Sequence, residues 1–110
     1  MNNQHQDLAN GRWQTLSLLE QMANVGSEAE RTIKWHEKGN QAYSDQALER
    51  FIELMILTIE DPKNRHGLGE LCRVNELFLD YIAGDNQYHQ TKKQWQSYFN
   101  AFTFAVRKDT

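Results

Sequence analysis

Apolar residues recur along this chain at the alternating three-and-four spacing of an α-helix. Leu16, Leu19, Met22, Gly26, Ala29 and Ile33 form one such row, and the spacing predicts a first helix from about Leu8 to Lys38. The middle of the row is small (Ala23, Gly26, Ala29), which lets a neighbouring helix come close. Two readings compete at Gly26. Asn24 and Gly26 together look like a helix stop, and Ser27-x-x-Glu30 looks like a capping box for a new start. The row nevertheless keeps its phase across the glycine, which favours one long helix, kinked or straight. Gly39-Asn40 ends it. At 1.5 Å per residue, such a helix of about 30 residues runs roughly 45 Å and overhangs shorter partners.

A second helix is predicted from a Ser44 N-cap to about Glu60, where Asp61-Pro62 stops it. It is apolar over most of its circumference, with a polar strip of Glu49, Glu53 and Glu60. Such a helix is buried on several sides, as the central helix of a monomer or as part of an oligomer interface. A third helix runs from about Leu68 to Ala83 on a row of Leu68, Leu71, Phe78 and Ile82, with Asn75 in the same row. Thr91 and Gln94 make a capping box for a fourth helix, whose inner face is Trp95, Tyr98, Phe99, Phe102 and Ala105. No stretch alternates like a strand. The expected fold is all-α, an antiparallel four-helix bundle over residues 8–108, behind a polar, disordered tail at residues 1–7.

The chain has 110 residues, enough for one core and too few for two ordinary domains. Mean hydropathy is −0.80, and no window approaches the roughly 18 apolar residues of a membrane span. No signal pattern opens the chain, so a cytoplasmic location is expected. Cys72 is the single cysteine and cannot form an internal disulfide, which fits a reducing compartment. Among Leu71, Val74 and Leu77 it reads as a small buried core residue. The formal net charge of −3 and a pI near 5.8 argue against a dedicated nucleic-acid binder and leave only a local patch.

Few chemistries survive. The residues three before His36, His66 and His89 are Ile33, Lys63 and Asn86, so the Glu-x-x-His of di-metal bundles is absent. With one cysteine and no histidine pair at zinc spacing, no metal is expected, and no cofactor. There is no phosphate-cradling glycine loop. His66-Gly67-Leu68-Gly69-Glu70 opens a helix behind Lys63 and Arg65, and reads as a solvated loop. Arg31, Lys34 and Lys38 share a helix face beside Trp35, a strip able to meet a phosphate backbone. Glu28, Glu30 and Glu37 interleave and dilute its field.

Arg31-x-x-x-x-His36 resembles the Arg-x(4–6)-His motif of the HEPN family, small helical domains that are often metal-independent RNases acting as dimers. That resemblance implies Arg31 as the group stabilising phosphate charge and His36 as the proton-transfer residue. Here Thr32 follows the arginine, where that family usually has a polar Asn, Asp or His. Trp35, Gly39, Tyr43 and Ala47, closed by Asp61-Pro62, resemble one tetratricopeptide hairpin, with no second copy near a 34-residue period. More broadly, residues 18–28, 34–40 and 57–64 are similar to a small uncharacterised prokaryotic family of helical-bundle proteins, which implies a fold and no activity. The four-helix layout is also similar to bacterial bundles of the ribosomal intervening-sequence type, which are often oligomeric and basic.

The leading expectation is a non-enzymatic helical-bundle interaction module that self-associates or holds a protein partner. Its candidate contacts are Trp35, Tyr43, Ile56, Tyr88 and Phe104, apolar groups left over once a core is filled. The alternatives are a HEPN-like RNase dimer using Arg31 and His36, and an RNA- or phosphate-binding bundle using Arg31, Lys34 and Lys38.

Overall fold

Ser17 decides where the first long helix begins. Its backbone is extended (φ −68°, ψ 162°), its hydroxyl accepts from Glu20 N at 3.1 Å, and Glu20 Oε1 accepts from Ser17 N at 2.9 Å. This reciprocal capping box satisfies two of the orphan N–H groups at the helix start. In the computed structural model, which describes residues 11–108, helix α1 therefore spans Leu18–Glu37. The expected unbroken helix through this region is overturned: Trp13–Thr15 form a separate 3-10 turn, while Leu8 and the tail at residues 1–7 lie outside the described residues. Helix α1 runs unbroken through Gly26.

Helix α2 spans Gln41–Glu60, α3 Leu68–Ala83 and α4 Lys92–Lys108, with a 3-10 segment at Pro62–Gly67. The fold is an all-α bundle in which α1 packs against α2 and α4, and α2 packs against α3. Helices α1 and α2 are both 20 residues long, so among the described residues α1 is no longer than its partner. The α2 cap is Asn40, whose side chain accepts from Tyr43 N at 3.0 Å. Ser44, expected at that position, is instead buried one turn inside, and its hydroxyl donates to Thr32 O at 3.0 Å. That bond ties α2 to α1. The Thr91–Gln94 capping box starts α4 as expected.

At Gly26, α1 and α4 come close together. A Cβ placed there would meet Phe99 Cβ at 2.8 Å. The ring of Phe99 then joins Phe51, Phe78 and Trp95 in the core, with Phe78 centred 4.5 Å from Phe51 and 5.2 Å from Trp95. Burying each such ring contributes about 1.5–3 kcal/mol. Cys72 does not join them. It is exposed, because it lies about 100° round the helix from the buried Leu71, so apolar neighbours in sequence are not neighbours in space. Asn75 sits half-buried on α3, and its Oδ1 accepts no hydrogen bond.

The open end of the α1–α2 hairpin is closed by polar groups. Gln21, fully buried on α1, donates from Nε2 to Trp13 O at 3.0 Å and to Asp61 Oδ2 at 2.9 Å. Its Oε1 accepts from Asn64 Nδ2 at 2.8 Å. Asn64 Nδ2 also donates to Thr58 O at 2.9 Å. Thr58 Oγ1 accepts from Trp13 Nε1 at 3.0 Å and donates to Leu54 O at 2.7 Å. Asp61 accepts from Lys63 N at 3.1 Å and pairs with Lys63 Nζ. Buried polar groups connected in this way stabilise, whereas any one left alone is costly.

Two outcomes test these packings. Gly26→Ala gains about 1 kcal/mol of helix propensity and incurs about 1–3 kcal/mol of overpacking, with Phe99 Cβ held by its own backbone. Urea denaturation should show a net loss of up to about 2 kcal/mol, against a gain of about 0.5–1 kcal/mol for Gly69→Ala, whose added Cβ meets nothing within 4 Å. Burial raises the Asp61 pKa, but the hydrogen bonds and charge from Lys63 and Gln21 outweigh it and hold the carboxyl below its ordinary value. A depressed folded pKa gives stability that is present above the unfolded value, about 3.9, and is lost as pH falls through the folded one. Melting temperature should therefore fall below about pH 4, and Asp61→Asn should flatten that acid limb.

Candidate functional site

The last turns of α1 and the first of α2 bring four of the singled-out residues together. Trp35 is half-buried and meets Tyr43 edge-on, with ring centroids 4.9 Å apart. Lys34 Nζ lies 5.1 Å and Lys38 Nζ 5.3 Å from the Trp35 ring centroid. Both ammonium groups are thus within cation–π range of one ring. Arg31 is spoken for. Its Nη1 lies 3.3 Å from both carboxylate oxygens of the buried Glu28, so it adds little net positive charge. A polar hollow of about 580 Å³ between α1 and α4 is lined in part by Arg31, Lys34, Gln96 and Asn100, and Gln96 Nε2 donates to Glu30 Oε1 across it at 2.9 Å.

Arg31 and His36 are both exposed on the unbroken α1. Five residues apart on a regular helix, they point about 140° from one another. No hydrogen bond or ion pair joins them, and within one chain the helix does not bring them to a common point. Ile56, Tyr88 and Phe104 lie on three separate elements: α2, the loop after α3, and α4. Their fractional exposures are 46%, 64% and 70%, so all three present apolar area to solvent. Among the described residues, no three His, Cys, Asp or Glu side chains gather to hold a metal ion, and no described helix is long and apolar enough to cross a membrane.

An apolar concavity lies elsewhere, between α3 and α4. It is an open trough of about 450 Å³. Val74, Leu77, Trp95 and Tyr98 supply its apolar lining, and Glu70, Arg73, Gln90 and Gln94 its polar groups, with Tyr88 at one side. Burial pushes the Tyr98 hydroxyl up to about 12, with the Glu70 carboxylate adding to the effect, so Tyr98 is a neutral donor at physiological pH. Trp95 Nε1 is buried without an acceptor. Among the described residues, neither Glu70 nor Arg73 has a salt-bridge partner.

Tyr88 is held in place by its loop. Asn86 and His89 both adopt left-handed backbone (φ 49° and 52°), a conformation that costs a non-glycine residue about 1–2 kcal/mol. Hydrogen bonds sustain it. Asn86 Nδ2 donates to Gln90 O and Asn86 Oδ1 accepts from Gln90 N, each at 2.9 Å, while Asp80 Oδ2 accepts from Gln87 N at 2.8 Å. Lys92, at the start of α4, reaches Glu37 at 2.9 Å, and that carboxylate raises its pKa.

Of this groove the sequence reading singled out only Tyr88. Trp95 and Tyr98 are visible there as the inner face of an amphipathic helix, and nothing in a linear pattern shows that α3 and α4 part to leave a trough between them. Glu70 and Arg73, three apart on α3, carried the signal of a shared face. The arrangement suits binding: apolar walls, aromatic rings and one charge of each sign. No family model matches the chain, and no curated protein or solved structure matches it, so the resemblances to HEPN domains, tetratricopeptide hairpins and prokaryotic bundle families rest on their short motifs alone.

Proposed function

We propose that this chain is a non-enzymatic interaction module that works by self-association. The observation that supports the reading is the exposure of Phe104 and Ile56. Among the described residues thirteen buried apolar side chains form the core cluster, yet these two side chains remain in water. Ile56 has Ile52 and Ile59 beside it on α2, both half-buried, so it extends an apolar flank rather than standing alone. Isolated exposed apolar residues are ordinary; a flank next to a filled core is surface that a partner can cover.

A second reading, contact with a phosphate-bearing partner such as RNA, is favoured by the paired ammonium groups over Trp35. It uses Lys34 and Lys38, with Arg31 diminished by Glu28. The RNase alternative requires a second subunit to bring a histidine to the arginine.

Light scattering on a size-exclusion column at two protein concentrations tests the proposal. The expected mass is that of a dimer or larger at the higher concentration, falling toward one subunit in Ile56→Glu or Phe104→Glu. Both variants should keep the wild-type melting temperature, because exposed positions tolerate substitution within about 0.5 kcal/mol. A single-subunit mass at both concentrations would sink self-association, and the RNase reading with it.

A further inference from the structure

The groove between α3 and α4 contains more than a bundle needs to fold. Two charged side chains of opposite sign, Glu70 and Arg73, line it three residues apart on α3, and among the described residues neither forms a salt bridge. Such charges on one helix face usually gain from pairing with each other; here they stay apart and both border an apolar trough. Trp95 contributes one edge of its largely buried ring to the lining. Tyr88, fixed by the strained loop, lines this trough and also a smaller hollow of about 240 Å³ next to it, which Arg73 borders too. Arg73 and Tyr88 are therefore shared by two adjoining concavities, a guanidinium and a phenol at one junction.

The size and charge select the occupant. A volume of about 450 Å³ falls within the usual range for small-molecule sites, about 300–1,000 Å³. With one positive and one negative group at its edge, the site has no net charge. A simple anion would meet Glu70 and a simple cation would meet Arg73. A molecule carrying both charges close together satisfies both, and an aromatic ring fills the trough against Trp95 and Tyr98, where ring pairs gain about 0.5–1.5 kcal/mol beyond area burial. We propose that the groove between α3 and α4 binds a small zwitterionic aromatic molecule of the aromatic amino-acid class. Its carboxylate sits on Arg73, its ammonium on Glu70 and its ring between Tyr88 and Trp95. The site does not require self-association, since one chain contains all of it.

The test is NMR on the full chain, following the indole N–H signals of Trp13, Trp35 and Trp95 while L-phenylalanine, L-tyrosine or L-tryptophan is added. Trp95→Phe assigns the third signal. At least one of the three amino acids should shift the Trp95 signal saturably and leave those of Trp13 and Trp35 in place. Phenylacetate, which lacks the ammonium, and phenethylamine, which lacks the carboxylate, should each bind about tenfold more weakly, as should the parent ligand to Arg73→Gln or Glu70→Gln, one charge-assisted hydrogen bond being lost in each case. Circular dichroism should show both variants folded with unchanged melting temperature. No saturable shift with any of the three amino acids would overturn the proposal. So would equal affinity for phenylacetate, which would make this an anion site, or binding indifferent to Arg73→Gln.

Discussion

The fold depends on a glutamine with nowhere to go. Gln21 is sealed in the protein interior, and an amide there is tolerable only if each of its polar atoms finds a partner. Its partners come from three separate stretches: the Trp13 carbonyl before α1, the Asp61 carboxylate that ends α2, and the Asn64 amide in the segment beyond. Satisfying one side chain therefore fixes the angle at which the chain enters α1 and the way it leaves α2. Asp61 does a second task, since its carboxylate also caps the 3-10 segment that turns the chain toward α3. Pro62 only forbids the helix from continuing. Asp61 determines where the chain goes next.

At the other end of the same hairpin, Ser44 donates to Thr32 O. The two long helices are thus joined by hydrogen bonds near both ends, with apolar packing between. Helix α4 is added by a different means: the missing side chain at Gly26 lets the Phe99 backbone come close, and the aromatic rings of α3 and α4 meet over Phe51. Polar groups set the direction of the hairpin, and shape sets the position of α4.

The helix count, the all-α class, the Asp61-Pro62 stop and the Thr91–Gln94 cap were legible because each rests on a short local rule. The failures were also local. Ser17-x-x-Glu20 is as good a capping box as Ser27-x-x-Glu30, but an apolar row that began upstream hid it. Asn40 took the cap from Ser44 because an asparagine beside Gly39 both ends one helix and starts the next. Cys72 was placed by its neighbours in sequence rather than by its angle on the helix. At the candidate sites, the Trp35 cluster was legible as a strip of adjacent residues, and the polar hollow and the α3–α4 groove were not, because each depends on the distance between two helices. The exposure of Tyr88 was visible, while its role as one wall of a groove required the loop around Asn86 to be seen in three dimensions.

The bonds from Trp13 and Gln21 to Thr58, Asp61 and Asn64 also bear on the order of events during folding. They close a loop of about 45 residues that contains only α1 and α2, so the hairpin can assemble with both ends fastened before α3 or α4 is in place. Contacts close along the chain form sooner than distant ones, and the α1–α4 hydrogen bonds join residues 55 and 66 apart. The latched hairpin is then the template on which α4 docks, with the gap at Gly26 as its landing point. A chain emerging during synthesis would reach Asn64, and with it the last partner of Gln21, while α4 was still unmade.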